Sequence, residues 1–418
     1  MKLFLKLSFI LTLALFEGNI FPQSSSSYSR IGLGDMVYTF SSRRTGLGEL
    51  GVSVTDAEFI SLLNPASLTG LRSTRTEFDM AYNGLYLSNN NASSYSASTD
   101  FYGAVLAIPI STTNGITLSF GLLPYSNVSY REENSYTSSG SIPYNYNVSY
   151  EGKGGLSKIF IASSYKFPFD LSVGATVDYY LGNLDYISTV TFPNDASLQT
   201  AKYTTRYRPR GFSSTLGLIS PDFSKIFGSE KISDFRLGAV LTFSTNLKTD
   251  TSLIISSSAS GDTLSNSSVN MFIPYRFAAG ASFILSNKYL FTLDYLVQPW
   301  SQYSLNGNTS SYLRNSSKFS AGFEYKPEKQ VGQSFWDEII WRLGLSYEQT
   351  QYKVNGQGIN EYSVMGGLSI PLSYQNTLDF GLQYAVRGTK DFNLLQEKII
   401  RLTAGISLGE LWFIRSEH

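Results

Sequence analysis

From residue 72 onward the chain alternates apolar and polar side chains with period two, interrupted repeatedly by turn signals. This pattern constrains the fold more than any other feature of the sequence. It is clearest late in the chain, where Leu378, Phe380, Leu382, Tyr384 and Val386 share one face opposite Asp379, Gly381, Gln383, Ala385 and Arg387. Likewise Phe319, Ala321, Phe323 and Tyr325 oppose Lys318, Ser320, Gly322 and Glu324. About fourteen such segments can be counted, at 76–88, 99–111, 115–131, 145–166, 170–191, 201–220, 234–253, 269–286, 288–303, 312–326, 337–353, 359–373, 376–387 and 397–413. A soluble sandwich also alternates, but the number and length of these strands favour a closed barrel. In lipid, a closed barrel is the β arrangement that leaves no unpaired edge.

Composition points the same way. Charged residues are 15% and aromatic residues also 15% of the chain, against roughly 25% charged in an ordinary soluble domain. Such a balance, with abundant Gly, Ser and Asn, suits a transmembrane barrel whose apolar side chains line one face only. The net charge of zero gives no basic surface for nucleic acid. Residues 1–23 read as a signal peptide: Lys2 and Lys6 precede an apolar run too short to span a bilayer as a helix. Processing is expected between Gly18 and Gln23. A leader on a Cys-free, aromatic-rich β chain points to a bacterial outer membrane.

The chain then divides into a tail and plug at 24–75 and a transmembrane barrel at 76–418. Residues 30–71 are glycine-rich, carry Arg43 and Arg44, and lack strand alternation. One short helix is expected at 56–63, capped by Thr55 or Asp56 and ending before Pro65. Tight turns at 111–115, 167–169, 287 and 374–375 alternate with longer polar connections at 89–98, 132–144, 192–200, 254–268 and 388–396. That order puts the tight turns on the periplasmic side. Connections 221–233 and 327–336 are longer than this rule predicts. Tyr86, Tyr102, Trp300, Tyr303, Trp341 and Trp412 are expected to form interfacial girdles.

Enzymatic chemistry finds little material. The single histidine is His418 and there is no cysteine, so the usual general base and the usual zinc ligands are missing. The inward acids Asp178, Asp294, Glu324, Glu348 and Asp379 are expected to pair with Arg236, Arg276, Lys318, Arg342 and Arg401 in a filled lumen. The chain reads as a non-enzyme without a cofactor.

The stretch Gly46-Leu-Gly-Glu-Leu-Gly51, followed by Asn64-Pro-Ala-Ser-Leu68, resembles the FadL/TodX family of hydrophobic-compound transporters. The resemblance extends in layout over the whole mature chain. It implies a fourteen-stranded barrel with an N-terminal hatch in its lumen, held by Asn64, Pro65 and Ala66. The residues agree: Pro65 fixes φ, Ala66 permits close approach, and Asn64 can bond a strand backbone. The resemblance also implies an inward kink in the third strand that opens a lateral gap. Here Gly121 and Pro124 favour a bulge or break, although Pro124 could equally end the membrane part of that strand. Inward apolar residues such as Val240 and Met365 depart from a polar filling.

The implied activity is uptake of a hydrophobic small molecule, such as a fatty acid, with lateral exit into outer-membrane lipid. The alternative is a PorV-like barrel that carries or scaffolds secreted proteins, using loops such as 132–144 and 254–268. A general diffusion pore fits least, because a plugged lumen conducts poorly. A monomer is expected, since a closed barrel has no edge to pair.

Overall fold

The computed structural model describes residues 26–137, 145–193, 198–228, 230–257, 261–327, 334–373 and 375–410. The leader segment, Trp412 and His418 lie outside the described residues. Fourteen antiparallel strands close into one barrel. They are β1 (Thr74–Ser88), β2 (Ser93–Ser111), β3 (Ile116–Thr137), β4 (Asn145–Lys166), β5 (Ser172–Thr191), β6 (Ala201–Ile219) and β7 (Ile232–Thr242 with Thr245–Ser257). The series continues with β8 (Gly261–Ile273 with Arg276–Leu285), β9 (Tyr289–Gln298), β10 (Ser316–Tyr325), β11 (Ile340–Val354), β12 (Gln357–Pro371), β13 (Thr377–Arg387) and β14 (Gln396–Glu410). Strand β14 pairs with β1 from Gln396↔Ser88 to Glu410↔Thr74, which closes the ring.

The alternation sorts side chains as the sequence predicts. On β13, Phe380, Leu382 and Tyr384 are exposed on the outer wall, while Asp379, Gln383, Ala385 and Arg387 are buried in the lumen. Pro274 interrupts β8 where its missing N–H cannot join the ladder.

Strand lengths are strongly uneven. Strands β3 and β4 each have 22 residues, whereas β9 and β10 each have 10. At about 3.3 Å per residue, the long pair reaches roughly 70 Å and the short pair about 33 Å. A transmembrane strand needs about 9–11 residues, so one side of the barrel rises well beyond a bilayer. This corrects the expected loops at 89–98, 132–144 and 254–268: residues 93–98, 132–137, 254–257 and 261–268 are strand. Outside lipid a hairpin can be polar on both faces, so it loses the alternation that identifies a strand.

The girdle expectation holds for Tyr86 and Trp341, which are exposed, and fails for three others. Trp300 and Tyr303 fold inward from the β9–β10 connection into a buried aromatic cluster. Tyr102 is the extra residue of a bulge, between Asp79↔Gly103 and Met80↔Phe101, which turns its ring into the lumen.

Residues 26–73 run through the lumen from the long-hairpin end to the tight-turn end and are mostly buried. The expected helix at 56–63 does not form. Instead Asn64 caps a 3₁₀ turn, Pro65–Gly70, with its side chain accepting from the Ala66 N–H at 3.1 Å. Proline suits the first helical position, so the motif starts a turn rather than stopping one. A short helix at Ser42–Gly46 carries Arg43 and Arg44.

Candidate functional site

The motif residues Asn64, Pro65 and Ala66 sit against the tight-turn ends of β5, β6 and β7. The Asn64 amide donates to three carbonyls: Val52 at 2.8 Å, Leu218 at 3.0 Å and Ala239 at 3.4 Å. Leu218 and Ala239 are partners across β6 and β7, so one side chain ties the interior segment to two strands. The fit depends on wall glycines. A Cβ on Gly217 would overlap Asn64 Oδ1, and one on Gly174 would overlap the Pro65 carbonyl carbon. The inward parity of these two glycines on adjacent strands is the sequence signal for the seat.

Gly121 and Pro124 lie where the wall divides. Pairing between β2 and β3 starts beside the tight turn and stops at Ala104↔Leu122. Beyond it, β2 continues with β1 as far as Ser93, and β3 continues with β4 as far as Thr137. A register break between Pro124 and Ser126 makes Tyr125 a bulge residue, and its ring turns inward against Tyr180 at 5.0 Å. The interior segment occupies the edge that β2 leaves. Asp35 and Met36 pair with Asn127 and Ser126, and the Ser26 N–H donates to the Ser129 carbonyl at 2.9 Å.

Behind this split lies a cavity of about 380 Å³. Its lining includes Phe101 and Pro124 from the two divided strands. Deeper in, the lining is charged: Glu49, Lys318, Glu348, Arg387 and Arg401.

Three buried ionic clusters tie the interior segment to the wall. In the first, Arg43 grips Glu324 through two bonds of 2.9 and 2.8 Å and reaches Asp56 at 2.5 Å; Arg342 joins Glu324 at 2.7 Å. In the second, Lys318 meets Glu49 and, at 3.1 Å, Glu348, while Arg401 reaches Glu49 at 3.1 Å. In the third, Arg387 binds Asp35 at 2.6 Å and Glu397 at 2.7 Å.

The inward acids therefore pair only partly as expected. Asp178 takes Lys158 at 3.3 Å, and Arg236 pairs instead with Asp234 and Asp170 at the tight-turn end. Asp294 accepts the Gly51 and Val52 backbone N–H groups at 2.9 and 2.8 Å. The cause is the interior segment, whose own charges and free amides compete for wall carboxylates.

The chain matches the BamG family profile over residues 4–418. The chain belongs to the BamG family. Its fold is shared with outer-membrane channels of the FadL/TodX type. The monoaromatic hydrocarbon channel CymD is 16% identical and aligns over 90% of this chain and 99% of its own, with a TM-score of 0.58. The Ralstonia pickettii toluene transporter TbuX is 15% identical over 89% and 99%, with a TM-score of 0.59. A Pseudomonas aeruginosa FadL homologue is 12% identical over 90% and 98%, also at 0.59. At such identities the likeness concerns fold: a closed fourteen-strand antiparallel barrel. No curated protein matches the chain in sequence.

Proposed function

We propose that this BamG-family chain is an outer-membrane barrel that holds and presents partner proteins, with its interior segment acting as a fixed plug. The observation carrying this reading is the charged, clamped lumen. Sites for apolar solutes are lined mainly by hydrophobic and aromatic side chains, whereas the cavity behind the β2–β3 split is bordered by Glu49, Lys318, Glu348, Arg387 and Arg401. Displacing the plug would also break buried ion pairs, at about 3–5 kcal/mol for each uncompensated partner. The tall β3–β4 hairpin supplies surface for a partner outside the membrane.

The test is site-specific photo-crosslinking in living cells from Tyr136, at the far end of β3, set beside uptake of a labelled long-chain fatty acid by proteoliposomes. A stoichiometric crosslinked partner and uptake equal to empty liposomes are expected. Protein-dependent uptake without a crosslinked partner would overturn the reading.

The split between β2 and β3 favours a second reading: hydrophobic molecules, fatty acids among them, leave the lumen sideways past Gly121 and Pro124 into lipid. The same uptake measurement decides between the two.

A further inference from the structure

Arg44 stands apart from the three clamps. Its side chain is buried in the interior segment, yet neither Nη1 nor Nη2 has a hydrogen-bond partner. Among the described residues no acid forms an ion pair with it, although its neighbour Arg43 has two. It borders a second, smaller cavity of about 50 Å³ at the inner face of the Tyr125 bulge. Two more cations reach that cavity: Arg276, whose guanidinium lies 5.3 Å from the Tyr125 ring centroid, and Lys158, held by Asp178 at 3.3 Å. The rest of the lining is mainly apolar, including Leu50, Leu62, Val240 and Leu296, and no carboxylate contributes to it.

An unpaired guanidinium out of water is expensive, and a nearby counter-charge removes most of that cost. Arg43 adjoins Arg44 in the chain, and Arg276 and Lys158 line the same cavity. The acids closest in effect, Asp56, Glu324 and Asp294, are already bonded to Arg43, Arg342 and backbone amides. Size narrows the ligand. A water needs roughly 10–15 Å³ of such volume, so a 50 Å³ space takes a few atoms and no acyl chain.

We propose that the cavity bounded by Arg44, Arg276 and Lys158 is a binding site for one small monovalent anion, of halide or formate size. The anion neutralises Arg44 and fastens the Ser42–Gly46 helix to β4 and β8. The inference is independent of whether the barrel presents proteins or passes solutes.

Crystals of the full-length mature protein grown with sodium bromide as the only halide test the site directly. An anomalous peak within hydrogen-bond distance of the Arg44 guanidinium is expected. The thermal midpoint of purified wild type should also rise when 150 mM gluconate is exchanged for chloride at constant ionic strength. Arg44→Met should lose that rise, because ligand binding to the folded state is what stabilises. If Arg44→Met does not fold, Arg276→Met should show a reduced rise. Water alone beside Arg44, a bromide peak without any chloride-dependent shift, or equal shifts in wild type and variant would each overturn the site.

Discussion

Glu324→Gln is the sharpest test of the clamped plug. The substitution keeps the size of the side chain and removes one charge from a group that is almost wholly buried. Three bonds are affected: two from Arg43, at 2.9 and 2.8 Å, and one from Arg342, at 2.7 Å. Afterwards Arg43 keeps Asp56, while Arg342 keeps only Ser369 and a distant Asp379 at 3.8 Å. Both guanidiniums are about as buried as side chains become, so solvent cannot replace the lost anion. Removing one partner of a buried pair costs about 3–5 kcal/mol. At about 1.4 kcal/mol per tenfold, opening of the interior segment should become roughly 10²–10⁴ times more frequent. Amide hydrogen exchange in detergent reads this locally. Residues 42–56 should lose about two to three and a half decades of protection, while strands β12 to β14 retain theirs. Planar-bilayer recordings should show brief openings absent from wild type. Unchanged exchange at 42–56 would refute the claim that charge holds the plug.

Gly217→Ala should disturb the Asn64 seat, because its Cβ would overlap Asn64 Oδ1; a thermal midpoint equal to wild type would show that the wall gives way freely. Asn64→Leu removes bonds to the carbonyls of Val52, Leu218 and Ala239; the two strand carbonyls remain in the β6–β7 ladder, so the cost falls mainly on the Val52 carbonyl, at about 1–3 kcal/mol. Faster proteolysis after residue 50 in that variant is the expected reading. At the tight-turn end, Asp170 lies below its usual carboxylate range: burial alone would raise it, but Lys166 and Arg236 outweigh that. A depressed group stabilises above its unfolded pKa and loses that contribution as pH falls through the folded value. Exchange in the 167–171 turn should therefore quicken only in acid, below about pH 4, and Asp170→Asn should abolish the dependence.

The wall was legible and the contents of the lumen were not. Period-two alternation is a local signal, so the strands could be counted and Phe380 and Arg387 assigned to opposite faces. A register break follows Pro124, whose missing N–H has a local consequence, while Gly121 stays in regular register with Val105 and Phe160. Pairing between Arg387 and Asp35 joins residues 352 positions apart, and no single sequence carries that information. The helix at Ser42–Gly46 is shorter than the hydrophobic period needs to declare itself. The hairpin ends of β2, β3, β7 and β8 escape the alternation because water on both sides erases it.

The same architecture houses hydrocarbon channels and this chain, so the barrel itself does not decide what passes. What differs can be reduced to which side chains face inward. An apolar solute entering at the β2–β3 split meets Phe101 and Pro124 first, then Glu49, Lys318 and Arg387. These groups already satisfy one another, so the solute gains little dispersion contact and breaks no hydrogen bond that it can replace. A protein segment differs, since it brings polar groups of its own and can use the hairpins above the split without entering the lumen. Clamping the interior segment then has a simple consequence: the divided edge of β3 is covered at Ser126, Asn127 and Ser129, and on the proposed reading a partner on the outer hairpins would leave that cover in place.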